Sequence, residues 1–258
     1  MNKLFYSLLF YCLSVSLSNE RETDNSLLFE RANESSMLII EDRLPIADPY
    51  VLFYKDKYYA YGTRTNGFEV YISDDLEHWR RRLALSPQDS WGTKWYWAPE
   101  VYYIETEKKF YMFYTVDEHI CVATSDSPEG PFVQDEKKPL REEKGIDASL
   151  FMDDDGKAYL YFVRFTGGNV IWGVEMNSDL KSVKEETLRE CIKADASWEL
   201  QQAKVAEGPS LLKRNGVYYL IYSANHFRSQ DYAVGYATAT SPLGPWRKYD
   251  GNPILCRD

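Results

Sequence analysis

The sequence has little positive charge and few cysteines. Its 30 lysines and arginines stand against 40 aspartates and glutamates, so the net charge over 258 residues is −10. A surface of that sign repels polyanions, which argues against nucleic acid as a partner. The four cysteines include no Cys-x-x-Cys pair, and one of them lies at position 12, in the N-terminal segment. Neither a disulfide framework nor a zinc site is therefore predicted.

Several catalytic motifs are missing. The sequence contains no Gly-x-Ser-x-Gly, no Gly-x-Gly-x-x-Gly and no phosphate-binding loop, so serine hydrolase, dinucleotide and nucleoside triphosphate chemistry have no support. It also lacks an amphipathic pattern long enough for a three-turn helix. The nearest candidate, Val183 to Lys193, is expected to be a loop or a short helix.

The longest apolar run, Leu4 to Leu17, is too short for a membrane span. Its position after Lys3 and before a polar stretch is typical of a signal peptide. We therefore predict a signal peptide at residues 1–18, a secreted or periplasmic protein and no membrane span. Residues 19–43 are polar and without periodicity, which predicts a flexible leader. The folded domain is expected at residues 44–258.

Aromatic residues, in contrast, are abundant at 16%, which suits both pleated sheets and contacts with sugars. Four aromatic clusters have the composition of strands: 58–61, 110–113, 158–161 and 218–221. Their reference tyrosines, Tyr59, Tyr111, Tyr159 and Tyr219, are 52, 48 and 60 residues apart. These intervals are close to the length of a four-stranded propeller blade. The sequence therefore predicts an all-β propeller with four visible blades.

An acidic residue lies eleven or twelve positions before each reference tyrosine: Asp48, Glu100, Asp147 and Glu207. The first strand of a propeller blade lines the central channel, so equivalent residues should converge there. We expect the four acids to occupy one repeated position around a shared hollow. Each acid could instead cap its strand by accepting backbone hydrogen bonds, or the set could bind Ca²⁺, although no Ca²⁺-loop pattern is present.

A cluster of carboxyl groups among apolar strands favours glycoside hydrolysis. In that reaction one carboxylic acid protonates the departing oxygen, and a second carboxylate activates water on the opposite face of the sugar. Like charges in a small space raise one another's pKa, an arrangement that costs stability unless function compensates it. A carbohydrate is therefore the expected partner.

These motifs, from about Leu44 to Leu255, resemble glycoside hydrolase family 43, whose members are five-bladed propellers that release arabinose, xylose or related sugars with inversion. The resemblance implies that Asp48, in Ala47-Asp48-Pro49, is the general base. It implies that Glu207, in Glu207-Gly208-Pro209, is the general acid. Asp147 would then tune the pKa of this acid and orient it.

The resemblance extends to the substrate pocket. Trp97-Ala98-Pro99-Glu100 is similar to the second-blade motif of the family, so Trp97 is expected to stack on a sugar and Glu100 to bind substrate; core packing is the alternative for Trp97. Phe68 is a candidate wall of the pocket, with packing again the alternative. His226, in a long loop of the fourth blade, is a candidate substrate contact.

The resemblance also sets the open questions. It implies no required cofactor and an optional axial Ca²⁺, whose ligands this sequence does not identify. The recurring acids and the family motifs make an exo-acting α-L-arabinofuranosidase or β-xylosidase the first hypothesis. A fifth blade is expected from the resemblance but is not visible in the sequence, and this motivates a second hypothesis. The second is a carbohydrate-binding propeller fragment with weak or no catalysis. Arabinose, xylose and galactose all remain open.

Overall fold

A computed structural model describes residues 39–40 and 44–257. The predicted signal peptide and most of the predicted leader lie outside these residues. Within the predicted leader, Ile39–Ile40 forms a short strand, β1, whose backbone pairs with residues 79–80. The folded part therefore includes residues before position 44, where the sequence places its start.

Four antiparallel sheets, here called blades 1 to 4, follow one another along the chain. Blade 1 contains β1 and four longer strands: β2 (Ala47–Tyr54), β3 (Lys57–Thr63), β4 (Phe68–Ser73) and β5 (Trp79–Leu85). Blade 2 contains three strands: β6 (Trp97–Ile104), β7 (Lys109–Val116) and β8 (His119–Ser125). Blade 3 contains four strands: β9 (Ile146–Met152), β10 (Ala158–Phe165), β11 (Asn169–Glu175) and β12 (Arg189–Ile192). Blade 4 contains five strands: β13 (Ala206–Arg214), β14 (Val217–Ala224), β15 (Ala233–Ala239), β16 (Arg247–Lys248) and β17 (Leu255–Cys256).

The arrangement confirms the predicted all-β propeller with four blades. The four aromatic clusters lie on β3, β7, β10 and β14, the second of the longer strands in each blade. Asn215 and Gly216 join β13 to β14 with φ of 50° and 76°. A two-residue hairpin requires positive φ at both positions, which explains this dipeptide.

Helical structure in the described part of the chain is limited to three short 3₁₀ segments: Pro87–Asp89, Glu185–Thr187 and Ser197–Leu200. The stretch from Val183 to Lys193 contains one of these segments and the edge strand β12, so the expectation of a loop or short helix holds only for its first half. None of the helices in the described residues is long and apolar enough to cross a membrane.

Apolar side chains fill the spaces between neighbouring blades. One cluster packs blade 1 against blade 2, a second packs blade 2 against blade 3, and a third packs blade 3 against blade 4. The first strands of the blades, β2, β6, β9 and β13, contact one another in that order. These strands therefore surround the propeller axis, and side chains that leave their inner ends enter a common hollow.

Candidate active site

Each of the four innermost strands contains a β-bulge at the same place. The register with the neighbouring strand shifts in β2, β6, β9 and β13. One residue in each bulge has a left-handed backbone, with φ between 42° and 58°: Asp48, Ala98, Asp147 and Gly208. Bulges redirect side chains, and residues other than glycine adopt this conformation only where the surrounding structure enforces it. The feature that recurs at this position in all four blades is therefore a distorted backbone and not an acidic residue.

The register corrects the prediction that the four acids are structurally equivalent. The residues paired with the reference tyrosines are Leu52, Tyr102, Phe151 and Leu212. The left-handed residue lies four positions before each of them, which makes only Asp48 and Asp147 equivalent. Glu100 lies two positions after the left-handed residue of its strand, and Glu207 lies one position before it. The hairpin loops contain two, four, five and two residues in blades 1 to 4. The longer loop of blade 2 accounts for the false match of Glu100, whereas Glu207 matched because the count allowed either eleven or twelve positions.

Hydrogen bonds between blades hold the bulges in place. The Thr63 hydroxyl on β3 accepts the Ala98 N–H at 3.0 Å and donates to the Asp48 carboxylate. On β7, the hydroxyl of Thr115 accepts the Asp147 N–H at 3.2 Å. The equivalent residue of blade 3 is Val163, which has no hydroxyl. There the Asp147 carboxylate accepts the N–H of the next bulge, at Gly208, at 3.1 Å.

The four carboxyl groups, although not equivalent, lie close enough to interact electrostatically. Burial raises the pKa of Asp147, and the charges of Glu207, Asp48 and Glu100 raise it further. Burial also raises the pKa of Glu207, to about 7, with an added contribution from Asp48. Like charges disfavour one another's ionised form only at short range. Asp147 therefore lies within electrostatic range of the other three acids, as the predicted convergence on one hollow requires.

Asp48 combines solvent exposure with a perturbed pKa. Its side chain is exposed, yet the surrounding protein raises the pKa of its carboxyl, an effect that the Thr63 hydrogen bond opposes. Both properties are expected of a group on the wall of a water-filled hollow, where protein displaces only part of the solvent. Asp48 is therefore a carboxylate that water can reach and that can accept a proton from it.

Glu207 is held by two neutral donors that the sequence did not single out. Asn169 Nδ2 donates to Glu207 Oε2 at 3.0 Å, and the Tyr232 hydroxyl lies 3.2 Å from Oε1. Both donors lower the pKa of Glu207 and thus oppose the effect of burial. No sequence motif marks either residue, because both reach Glu207 only through the packing of blade 3 against blade 4 and a long loop.

Glu100 belongs to a buried polar group. It accepts a hydrogen bond from the Tyr102 hydroxyl, and Ser149 is a second hydrogen-bonding neighbour. Burial raises the pKa of Glu100 to about 7 despite these donors. The Tyr102 ring packs against Tyr50 at 5.6 Å between centroids. Glu100 is therefore a carboxyl group that keeps its proton to a higher pH than an ordinary glutamate.

We expect Glu100→Gln to stabilise the fold at alkaline pH. The pKa of Glu100 is raised on folding, so wild type loses stability as the pH rises from about 4.5 to 7, and the loss persists above that range. Glutamine does not titrate, and the variant should be more stable than wild type by about 1–3 kcal/mol at pH 8 but not at pH 4.5. Urea denaturation at both pH values measures the difference. The exposed Glu136→Gln serves as control, and a Glu100→Gln variant with the wild-type pH dependence would contradict the expectation.

The tryptophans before β6 and at its start form a stacked pair. Trp97 is half-buried, and its ring stacks on Trp95 at 5.7 Å with an interplanar angle of 19°. Trp95 is 42% exposed, and the Lys94 ammonium lies 4.0 Å from its ring centroid. Trp97 lies three positions before Glu100 on β6. An accessible aromatic surface thus accompanies the acids, although its contact with a sugar stays a prediction.

Phe68 does not line the hollow. Its ring has no exposed surface and packs edge-on against Tyr96 and Tyr114, at 5.5 and 5.4 Å. A fully enclosed side chain cannot contact a sugar, so we correct its assignment to the core between blades 1 and 2. Burial of this kind depends on the neighbouring blade and leaves no mark in the local sequence.

His226 is exposed and follows the end of β14. Its ring stacks on Phe227 at 4.7 Å, and its Nδ1 accepts the Arg228 N–H at 3.1 Å. The end of β14 pairs with the start of β13 at Ala206, next to Glu207. His226 therefore lies in a loop that leaves the propeller beside the acids, and its contact with substrate stays a prediction.

The optional Ca²⁺ stays a prediction, since the acids of the hollow do not bring three His, Cys, Asp or Glu ligand atoms within 4.8 Å of one another. Among the described residues, three ligand atoms come together only at Asp75, Glu77 and His78. This exposed group lies in the β4–β5 turn, where Asp75 accepts the backbone N–H groups of Glu77 and His78 at 2.8 Å. The turn explains the grouping without a metal, so no chemical step is assigned to an ion.

The fold and the hollow define a β-propeller with several interacting carboxyl groups at its axis. The sequence profile described as "Glycosyl hydrolases family 43" matches residues 42–258. The chain belongs to this family, which confirms the resemblance seen in the motifs.

The relatives of the chain are named for several different sugar-cleaving activities. The chain is similar to the crystal structure of an endo-1,4-β-xylanase from Bacteroides thetaiotaomicron, at 64% identity and a TM-score of 0.80, over 82% of this chain and 75% of that one. A β-D-galactofuranosidase from Aspergillus niger is 29% identical over 78% of this chain and 62% of its own length. A β-xylosidase from Xylanibacter ruminicola is 31% identical over 60% of this chain and 56% of its own length. The chain thus spans less than two thirds of these two curated relatives.

Proposed function

We propose that this chain hydrolyses O-glycosidic bonds in plant-type polysaccharides or oligosaccharides with inversion. The observation that carries the proposal is the pair of Glu207 and Asp48 in one hollow with different surroundings. Burial raises the pKa of Glu207 to about 7, so a large fraction of this carboxyl group still carries a proton in neutral solution. Asp48 is reached by water and accepts a hydrogen bond from Thr63. Unequal environments of this kind separate an acid from a base.

The two groups would act on opposite faces of the sugar. Glu207 gives its proton to the glycosidic oxygen as the bond from that oxygen to the anomeric carbon breaks. Asp48 takes a proton from water as the water oxygen bonds to the anomeric carbon. One water is consumed, and the leaving sugar departs as an alcohol. Proton exchange with solvent returns Glu207 to its acid form and Asp48 to its carboxylate.

Asp147 would act through Glu207 rather than on the substrate. Its carboxylate accepts the N–H of Gly208, the residue that follows Glu207. This bond fixes the backbone next to the acid, and the charges of the two carboxyl groups disfavour each other, with Glu207 raising the pKa of Asp147. The role of pKa modulator proposed for Asp147 follows from these two effects.

For the substrate, we propose exo action on terminal α-L-arabinofuranosyl or β-xylosyl units. The name of the β-xylosidase relative supports xylose. Endo action on xylan is a second candidate, supported by the name of the 64% identical structure. The proposal includes export through the predicted signal peptide, residues 1–18.

The products of the purified protein test the proposal. We expect release of a pentose from an aryl α-L-arabinofuranoside or an aryl β-xyloside, and proton NMR of the first-formed sugar should show the inverted anomer. Monosaccharide from xylan would indicate exo action, and a ladder of oligosaccharides would indicate endo action. Equal turnover by wild type and Glu207→Gln, or calorimetric binding of xylo-oligosaccharides without any product, would overturn the proposal; the second result would identify a binding module.

A further inference from the structure

The turn between β10 and β11 lies directly against the chain that leads into β13. Gly168 has φ of 129°, and a Cβ on it would lie 2.3 Å from the Lys204 carbonyl oxygen. The next residue, Asn169, donates its N–H to the same oxygen at 3.0 Å and forms a parallel bridge with Val205. Only glycine permits this approach, because any side chain at position 168 would push the turn away. Asn169, the first residue of β11, is therefore held against Lys204, which lies two positions before the start of β13, the strand that carries Glu207.

From this position the Asn169 side chain reaches the carboxyl group of Glu207. Asn169 Nδ2 donates to Oε2 at 3.0 Å, while the Tyr232 hydroxyl lies 3.2 Å from Oε1. Each oxygen thus has its own neutral partner, one from blade 3 and one from the loop before β15. Two partners on opposite sides of a carboxyl group restrict its rotation. Neither residue has a role in the mechanism given above.

We propose that Asn169 and Tyr232 are positioning residues that orient Glu207 and set the pH at which it gives up its proton. This inference rests on the proposed role of Glu207 as general acid. Gly168 contributes indirectly, since it allows the backbone of Asn169 to contact Lys204. Neither Asn169 nor Tyr232 transfers a proton to the substrate.

The charged groups around Glu207 explain why neutral donors matter there. Asp48 on β2 and Asp147 on β9 both interact electrostatically with Glu207, and both carry or can carry negative charge. Burial and the charge of Asp48 favour the protonated form of Glu207. Hydrogen bonds from Asn169 and Tyr232 favour the carboxylate and oppose them. Without the two donors, Glu207 would keep its proton to a higher pH.

The pH profile of kcat/KM tests the inference. A general acid must be protonated, so its pKa sets the alkaline limb of the profile. We expect Asn169→Ala and Tyr232→Phe each to move this limb up by about one pH unit, because the loss of one hydrogen bond to a charged group changes its pKa by about that much. Both substitutions should also lower kcat at its optimum pH. Asn177→Ala and Tyr218→Phe are matched controls. Asn177 donates to Ser182 and Tyr218 to Asp153, so both act outside the hollow.

A direct titration gives a second readout that does not depend on turnover. The carbon-13 shift of the Glu207 carboxyl group, assigned with Glu207→Gln, should titrate at higher pH in both variants than in wild type and the two controls. Unmoved titration and an unmoved alkaline limb would overturn the inference, even if kcat fell, because a structural defect lowers activity without moving the limb. Full activity of Glu207→Gln would instead overturn the proposed function, so the two failures are distinguishable.

Discussion

Glu207→Gln should lower kcat on unactivated xylosides or arabinosides by about 10²–10⁴-fold, the usual contribution of a general acid. Glutamine keeps the size of the side chain and the contacts with Asn169 and Tyr232, but it cannot give a proton to the glycosidic oxygen. The loss should shrink sharply with a dinitrophenyl leaving group, because that oxygen departs as a stable anion without protonation. Steady-state rates over a series of aryl glycosides measure this dependence.

The control for this experiment is the exposed Glu136→Gln, which should behave as wild type across the series. Glu207→Gln should also lose the alkaline limb of its pH profile, since the group whose deprotonation sets that limb is absent. A loss that is equal for good and poor leaving groups would contradict the assignment of Glu207 as general acid. It would point instead to a role in binding.

Asp48→Asn should lower kcat by about 10²–10⁴-fold for all leaving groups alike. The base acts on water, so its absence slows bond formation to the anomeric carbon whichever aglycone departs. Asparagine preserves the shape of the side chain and can still bond to Thr63. Wild type should lose activity at low pH as Asp48 becomes protonated, at a pH above that of an ordinary aspartate because burial raises its pKa. The variant should lack this acidic limb.

Added azide distinguishes activity lost because the base is missing from activity lost because the pocket is damaged. Azide attacks carbon without giving up a proton, so it should restore turnover of a dinitrophenyl glycoside by Asp48→Gly and yield a glycosyl azide of inverted configuration. Asp126→Asn, on the exposed turn after β8, is the control and should show neither loss nor rescue. Wild-type rates for Asp48→Asn would rule out its role as base.

Much of the fold follows from short-range patterns. The aromatic clusters predict β3, β7, β10 and β14 because runs of aromatic and other large apolar residues suit a sheet buried on both faces. The hairpin at Asn215–Gly216 follows from the positive φ angles it requires. The acids at positions 48, 147 and 207 stand out because charge is rare in such strands. These signals depend on neighbours along the chain and are therefore visible in the sequence.

Other features depend on residues far apart in the sequence. Phe68 resembles a pocket residue by position, but blade 2 encloses it completely. The apparent equivalence of the four acids failed because the longer hairpin loop of blade 2 offset the count for Glu100 and because the count allowed a difference of one position for Glu207. Asn169 and Tyr232 carry no motif: the contact between blades 3 and 4 brings Asn169 to Glu207, and the loop before β15 brings Tyr232.

The sequence by itself determined the repeated strands, the type of fold and the acids that interrupt the apolar pattern, since local periodicity and composition encode them. Only the tertiary structure decided which acids are equivalent, which donors they receive and which aromatic rings remain accessible. The reason is physical: the pKa of a carboxyl group depends on the solvent displaced from it and on the charges and donors around it. In this propeller those neighbours come from other strands, from long loops and from other blades.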